Sequence, residues 1–321
     1  MHGGAAGSAE PSAPPKKPEE PEVVRLPMKL FADRLFVPVT LNGETECECL
    51  VDTGSETTLL NRARVNVKNL RLVGTEQLEG AELGRTGVER VKLDSLALGS
   101  CVLPNVTISA LRHGKGQKLE LVNMLIGMDI LSRCRFTLDF ENSEFLLWAT
   151  KKEIPKAAAG VQRARLPVSR ASFDTLTRPR VYATVNGKTR TMFLVDTGGG
   201  PLMFVAARKL EEYGLKKSGR VAAHAVLNDG GKSRQLPFYS LSFDKLSLDC
   251  LDFAEVPAQV LDASTVAGPV MRQELPMIYN IIGTSFMKHL KAVHFDMVGR
   301  TVYLDRPAPE EAQGSLIAPR K

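Results

Sequence analysis

The six residues Leu50-Val51-Asp52-Thr53-Gly54-Ser55 are echoed later in the chain by Leu194-Val195-Asp196-Thr197-Gly198-Gly199. In each copy an apolar run delivers a single Asp, followed at once by a small polar residue and a glycine. That pattern sets a carboxylate on a tight turn at the end of a buried strand. Each copy is preceded by an Asn-Gly pair, Asn42-Gly43 and Asn186-Gly187, whose residues tolerate the positive φ of a tight hairpin. The two turns and the two aspartates are each 144 residues apart (186 − 42 and 196 − 52), so turn, strand and carboxylate keep one register.

The echo continues downstream. Ile126-Gly127 returns as Ile282-Gly283, and the run through Asp139 returns through Asp296. These offsets are 283 − 127 = 156 and 296 − 139 = 157, so the second copy carries about a dozen extra residues in its middle. A fixed-order repeat of this length predicts an internal duplication with two mainly β lobes. The expected division is a disordered leader over 1–27, a first lobe over 28–150, a linker over 151–163, a second lobe over 164–307 and a flexible tail over 308–321. The leader is rich in Gly, Ala, Ser, Pro and charge, and the linker changes from charged residues through Pro155 to Ala-Ala-Ala-Gly. A helix is expected over Val205–Tyr213, with Gly214 as its stop, and a weaker one over Arg62–Val67. The cluster Gly80, Gly84 and Gly87 reads equally as a mobile hairpin tip or an ordinary loop. Trp148 is expected to close the first core.

Two strand-end aspartates invite a chemical reading. If the two Asp-Thr-Gly turns meet, Asp52 and Asp196 face each other, and each Thr hydroxyl can reach across to the opposite loop. Carboxylates that close cannot both ionise, so the pair shares a proton. The ionised oxygen then serves as base toward a water, while the protonated one hydrogen-bonds the carbonyl under attack. This chemistry requires no metal and no cofactor, and its coupled titration favours acid to neutral pH. Ser55 can donate to the outer oxygen of Asp52, whereas Gly199 has no side chain to do so for Asp196. The reading therefore expects Asp52 to hold charge more readily and Asp196 to carry the proton.

Other chemistries find less support. The five cysteines form no Cys-x-x-Cys and have no His at ligand spacing, which argues against zinc. They read as buried free thiols. His113, His224, His289 and His294 show no spacing with a Ser or Cys nucleophile, and Asp139 and Asp296 read as turn residues. A net charge of +6 from scattered, interleaved Lys and Arg makes no nucleic-acid-binding block. No apolar run approaches the ~18 residues of a membrane span.

These motifs resemble the retropepsin-like aspartic proteases, whose hallmark is a hydrophobic-hydrophobic-Asp-Thr/Ser-Gly turn with a later hydrophobic-hydrophobic-Gly. Here those are Leu50–Ser55 with Leu125-Ile126-Gly127, and Leu194–Gly199 with Ile281-Ile282-Gly283. Position 199 departs from the pattern, which prefers Ser or Ala there. The resemblance spans residues 30 to 148 and again 165 to 305. It implies two acid-protease β-barrel lobes paired within one chain, a peptide or protein substrate, and Asp52 and Asp196 as the catalytic dyad. Thr53, Gly54, Ser55, Thr197, Gly198 and Gly199 would support the dyad loops, with Ile126, Gly127, Ile282 and Gly283 as the strands beside them. Flaps would map loosely to Leu78–Val88 and Leu227–Lys232. Similarity to tandem-lobe bacterial envelope proteases points to the envelope or periplasm, although no signal peptide is legible. The rivals are a peptide-binding protein of the same fold without catalysis, and lobes that pair with those of another chain.

Overall fold

The computed structural model describes residues 22–80, 84–111, 122–149, 151–169, 178–199, 203–206, 210–215, 221–229, 232–261 and 280–308. The described chain is mainly β. The first copy runs β1 (Val23–Pro27), β2 (Lys29–Phe31), β3 (Arg34–Leu41), β4 (Thr45–Val51), β5 (Leu59–Asn61), β6 (Arg71–Gly80), β7 (Gly84–Leu98), β8 (Cys101–Leu111), β9 (Met124–Ile126), the single-turn helix α1 (Met128–Leu131), β10 (Arg135–Asp139) and β11 (Glu144–Trp148). The second runs β12 (Val161–Pro167), β13 (Arg180–Val185), β14 (Thr189–Asp196), β15 (Met203–Ala206), β16 (Val221–Asp229), β17 (Lys232–Leu248), β18 (Leu251–Leu261), β19 (Asn280–Gly283), α2 (Thr284–Met287), β20 (Ala292–Asp296) and β21 (Thr301–Pro307).

Each copy closes on itself. The first sheet has the order β2-β3-β4-β9-β5-β8-β7-β6, and β3 also pairs with β7. The second has β13-β14-β19-β15-β18-β17-β16, with β13 pairing β17. Period-two alternation sends Leu35, Val37, Val39 and Leu41 inward from β3, all essentially inaccessible. The hairpin turns between β3 and β4 and between β13 and β14 use the expected residues, with Asn42 and Gly43 at φ 50° and 71° and Asn186 and Gly187 at 51° and 66°.

A third sheet is built half from each copy, in the order β1-β11-β10-β20-β21-β12. At its centre β10 and β20 pair antiparallel, with Phe136 opposite Phe295 and their rings stacked 4.6 Å apart. The far face holds a polar chain across the join. Trp148 Nε1 donates to Thr137 Oγ1, Thr137 Oγ1 lies 2.8 Å from His294 Nδ1, and Asp305 lies 3.0 Å from His294 Nε2 while binding Arg163 through both oxygens. Trp148 thus sits on the face opposite Phe136 and does not close the core.

Several expected boundaries move. Val23–Pro27, assigned to the leader, forms β1 because Leu26 is buried and the backbone is satisfied by β11. Residues 161–163, assigned to the linker, already pair with β21. The helix over Val205–Tyr213 does not form at its start. Met203–Ala206 is a strand held by β18 on one side and β19 on the other, and hydrogen bonding on both edges outweighs weak helical spacing. Leu210 and Tyr213 are buried in a turn, and residues 207–209 lie outside the described part. The stretch from Arg62 is likewise a turn. Residues 1–21 of the leader and 309–321 of the tail lie outside the described residues.

All five cysteines are free thiols, but of the expected burial only Cys49 shows it in full: Cys47, Cys101 and Cys134 are partly buried and Cys250 is exposed on the turn after β17. Burial pushes Cys47 and Cys134 up to about 11 and Cys49 well above its ordinary value, so these three stay protonated and inert.

Candidate active site

Sheet order brings the two Asp turns to the join between the barrels. In the first barrel β9 threads between β4 and β5, pairing parallel with β4 (Leu50 opposite Leu125, Val51 opposite Ile126). The chain leaving β4 must therefore turn over the end of β9 before it can enter β5. Asp52 sits at that turn, its N–H donating to Ile126 O at 3.0 Å. The second barrel repeats this, with β19 between β14 and β15 and Asp196 opposite Gly283.

The turns are locked together by four hydrogen bonds. Thr53 Oγ1 donates to Val195 O at 2.7 Å and accepts from Thr197 N at 3.1 Å. Thr197 Oγ1 donates to Val51 O at 2.6 Å and accepts from Thr53 N at 3.0 Å. Both threonines are fully buried, so each hydroxyl satisfies backbone groups that water cannot reach. Two loops 144 residues apart in the chain are held in one geometry, each Thr hydroxyl reaching across to the other loop.

The glycines fix the approach of the carboxylates. A Cβ on Gly54 would overlap the Asp196 carboxylate, and a Cβ on Gly198 would overlap that of Asp52. Each carboxylate therefore lies against the backbone of the opposite loop, and the structure brings Asp52 and Asp196 together. Asp52 Oδ1 accepts from Gly54 N (2.9 Å) and Ser55 N (3.0 Å). Asp196 Oδ1 accepts from Gly198 N and Gly199 N, both at 2.9 Å. Both aspartates are half-buried.

The bond expected from Ser55 to the outer oxygen of Asp52 is replaced by another: Ser55 Oγ donates to Thr57 O at 2.9 Å, within its own loop. Gly199 supplies through its backbone the same bond that Ser55 supplies through its own. The departure at position 199 leaves these inner-oxygen bonds unchanged.

The neighbouring strands and loops bring further residues against the two turns. Gly127 passes so close beneath the first turn that a Cβ would meet Thr57 O at 2.7 Å. Two residues not singled out from the sequence complete the brace: Thr58 Oγ1 donates to Asp129 Oδ1 at 2.6 Å and accepts from Gly127 N at 3.0 Å. The second turn is braced by Thr284, whose hydroxyl donates to Thr197 O at 3.0 Å. Arg178 was also missed. From just before β13 it reaches the first loop, donating to Gly54 O and pairing with Glu56 at 3.2 Å. A single sequence carries no signal for these contacts, since each joins residues remote in the chain.

The expected flap stretches fall on the hairpins β6–β7 and β16–β17, and β16 comes against β7. Their tips, 81–83 and 230–231, lie outside the described residues. Asp139 accepts from Asn142 N, and Asp296 from Gly299 N, so both cap hairpin turns away from the dyad. His294 belongs to the far face of the shared sheet. Among the described residues no cluster of His, Cys, Asp or Glu could hold a metal ion, and no helix is long and apolar enough to cross a membrane.

The walls around the two turns differ. Beside the first turn Phe36 packs with Leu50, Leu59, Val88 and Leu125 in a second apolar cluster. Phe36 is paired with Leu50, whereas the residue paired with Leu194 is the fully buried Arg180.

Comparison with known proteins agrees with this architecture. A sequence-family model described as aspartyl protease matches residues 37–130 and 181–286, together more than half of the chain. Among solved structures the chain is similar to the aspartic proteinase from Irpex lacteus. That match has a TM-score of 0.56 and 14% identity, covering 91% of this chain and 99% of that one, and it bears on the fold. A comparison with curated protein sequences finds no match.

Proposed function

The chain belongs to the aspartyl protease family, and from that premise we propose that it is an aspartic endopeptidase with Asp52 and Asp196 as its dyad. The observation that carries this reading is the reciprocal seating of the carboxylates. Each lies against the glycine of the opposite loop, under the interlocked hydroxyls of Thr53 and Thr197. Such a pair shares one proton. With a peptide in the cleft, the ionised carboxylate takes a proton from water as its oxygen attacks the scissile carbonyl carbon. The protonated carboxyl gives its proton to the carbonyl oxygen, producing a neutral gem-diol. Collapse of the diol breaks the C–N bond as one diol hydroxyl returns its proton to the now ionised carboxylate, and the proton taken from water goes to the leaving amine. The fixed loops hold reactants at short range, which lowers the entropic part of the barrier.

Both carboxylates are required, and no partner chain is needed to supply one. The reading therefore includes a monomer, supported by a central sheet built from both halves of one chain.

The test is cleavage of a peptide library from pH 3 to 8 by the wild type and by Asp52→Asn and Asp196→Asn. Loss of acid–base catalysis costs about 10²–10⁴-fold, so either variant should fall at least that far with its circular dichroism unchanged. Equal activity in wild type and variants would remove the dyad. An inactive wild type would leave a peptide-binding protein of the same fold.

A further inference from the structure

Between the edge strand β12 and the outside of the second barrel lies a groove of about 420 Å³, within the range of ligand sites. Its walls include Arg165, Tyr182, Thr184, Arg190, Ser247 and Asp249. The Arg190 guanidinium lies 4.2 Å over the exposed Tyr182 ring, a stacking that restrains its planar fork. Asp249 is turned aside, accepting the backbone N–H of Arg165 at 2.9 Å. Neither the Arg165 nor the Arg190 guanidinium has a carboxylate partner among the described residues.

The duplication supplies a control within the molecule. Strand register places Arg25 of the first copy where Arg165 stands in the second, and Arg25 is neutralised by Glu144 at 2.6 Å. The residue corresponding to Glu144 is Thr301, which leaves Arg165 without that acid. Likewise Glu46 corresponds to Arg190, and Pro38 to Tyr182. At equivalent positions the first copy thus carries Pro38, Glu46 and the Arg25–Glu144 ion pair, and the second carries two arginines beside an aromatic wall.

The geometry points to a second binding site in this groove, which takes an acidic peptide segment with its carboxylates on Arg165 and Arg190. Thr184 and Ser247 supply neutral hydrogen bonds beside them. A paired guanidinium and carboxylate can engage through two parallel bonds, which adds orientation to charge. The segment's assignment to a protein substrate rests on the endopeptidase reading, whereas the site itself does not.

The experiment measures fluorescence anisotropy of a labelled Glu-rich dodecapeptide and its Gln counterpart on the Asp52→Asn protein, where turnover does not interfere. The Glu peptide should bind, the Gln peptide should bind at least about tenfold more weakly, and Arg165→Glu/Arg190→Glu should lose a similar factor, as two reversed surface pairs imply. The control Lys151→Glu/Lys156→Glu makes the same change in net charge outside the groove and should bind as the parent does. Melting curves confirm that each variant is folded. Equal binding of the two peptides, an equal loss in the control, or binding of inorganic phosphate without the peptide would each overturn the proposal. Glu-dependent binding without cleavage by the wild type would leave this site standing and remove the endopeptidase reading. Cleavage without such binding would remove this site alone.

Discussion

Thr53 and Thr197 do more for this molecule than their size suggests. Each hydroxyl donates to one backbone carbonyl and accepts from one backbone N–H of the other copy, at depths where water offers no substitute. Thr197→Ala leaves Val51 O and Thr53 N without those partners, at about 1–3 kcal/mol for each orphaned group. The expected loss is about 3 kcal/mol in urea unfolding, together with a fall in kcat because the carboxylates lose their fixed spacing. A variant of unchanged stability would show that the interlock contributes little. The Asp, Thr and Gly positions were legible because their residue types serve one local shape. Thr58, Asp129 and Arg178 were not, since nothing local to them differs from an ordinary surface or turn residue.

At the scale of elements, the shared sheet is the feature that the chain order conceals. Strands β10 and β20 are separated by most of the second copy yet lie side by side, with Arg135 paired to Asp296 at 2.8 Å across the join. On the same face Asp305 is subject to opposing influences. Burial alone would raise its carboxyl, but hydrogen bonds from Arg163 and His294 outweigh that and hold it at about 2, against an ordinary 3.8. A carboxyl depressed in the folded state adds stability above about pH 4, and that stability is lost as pH falls from about 4 towards 2. A shift of this size corresponds to about 2 kcal/mol. The stability gap between wild type and Asp305→Asn, measured by urea unfolding, should therefore narrow between pH 5 and pH 2.5. A constant gap would show that Asp305 does not carry this dependence. Hairpins were readable at this scale because Asn-Gly dictates its own turn. Strand β15 was misread because its pairing with β18 and β19, both distant in sequence, outweighs a local helical pattern.

For the whole molecule, the central sheet draws three strands from each copy of the one chain. Under the proposed reading of a monomeric endopeptidase, specific activity should stay constant on dilution while sedimentation reports a single-chain mass. Activity that falls as dimers dissociate would instead assign the pairing to two chains. The barrels have also diverged. Arg180 stands where Phe36 packs beside the first turn, and Arg190 where Glu46 lies on the outer surface.

The sequence by itself determined that there would be two β lobes, that each would carry an Asp on a tight turn, and that a glycine-ended strand would run beside each turn. These follow from period-two burial, from positive φ at Asn-Gly, and from the lack of a Cβ at Gly54, Gly127 and Gly198, all properties of neighbouring residues. Only the tertiary structure decided how the lobes join, that Ser55 turns its hydroxyl to Thr57 rather than Asp52, and that a basic groove opens behind β12. Those outcomes depend on which distant groups compete for the same hydrogen bond or the same charge, and that competition is settled by position in space rather than by order along the chain.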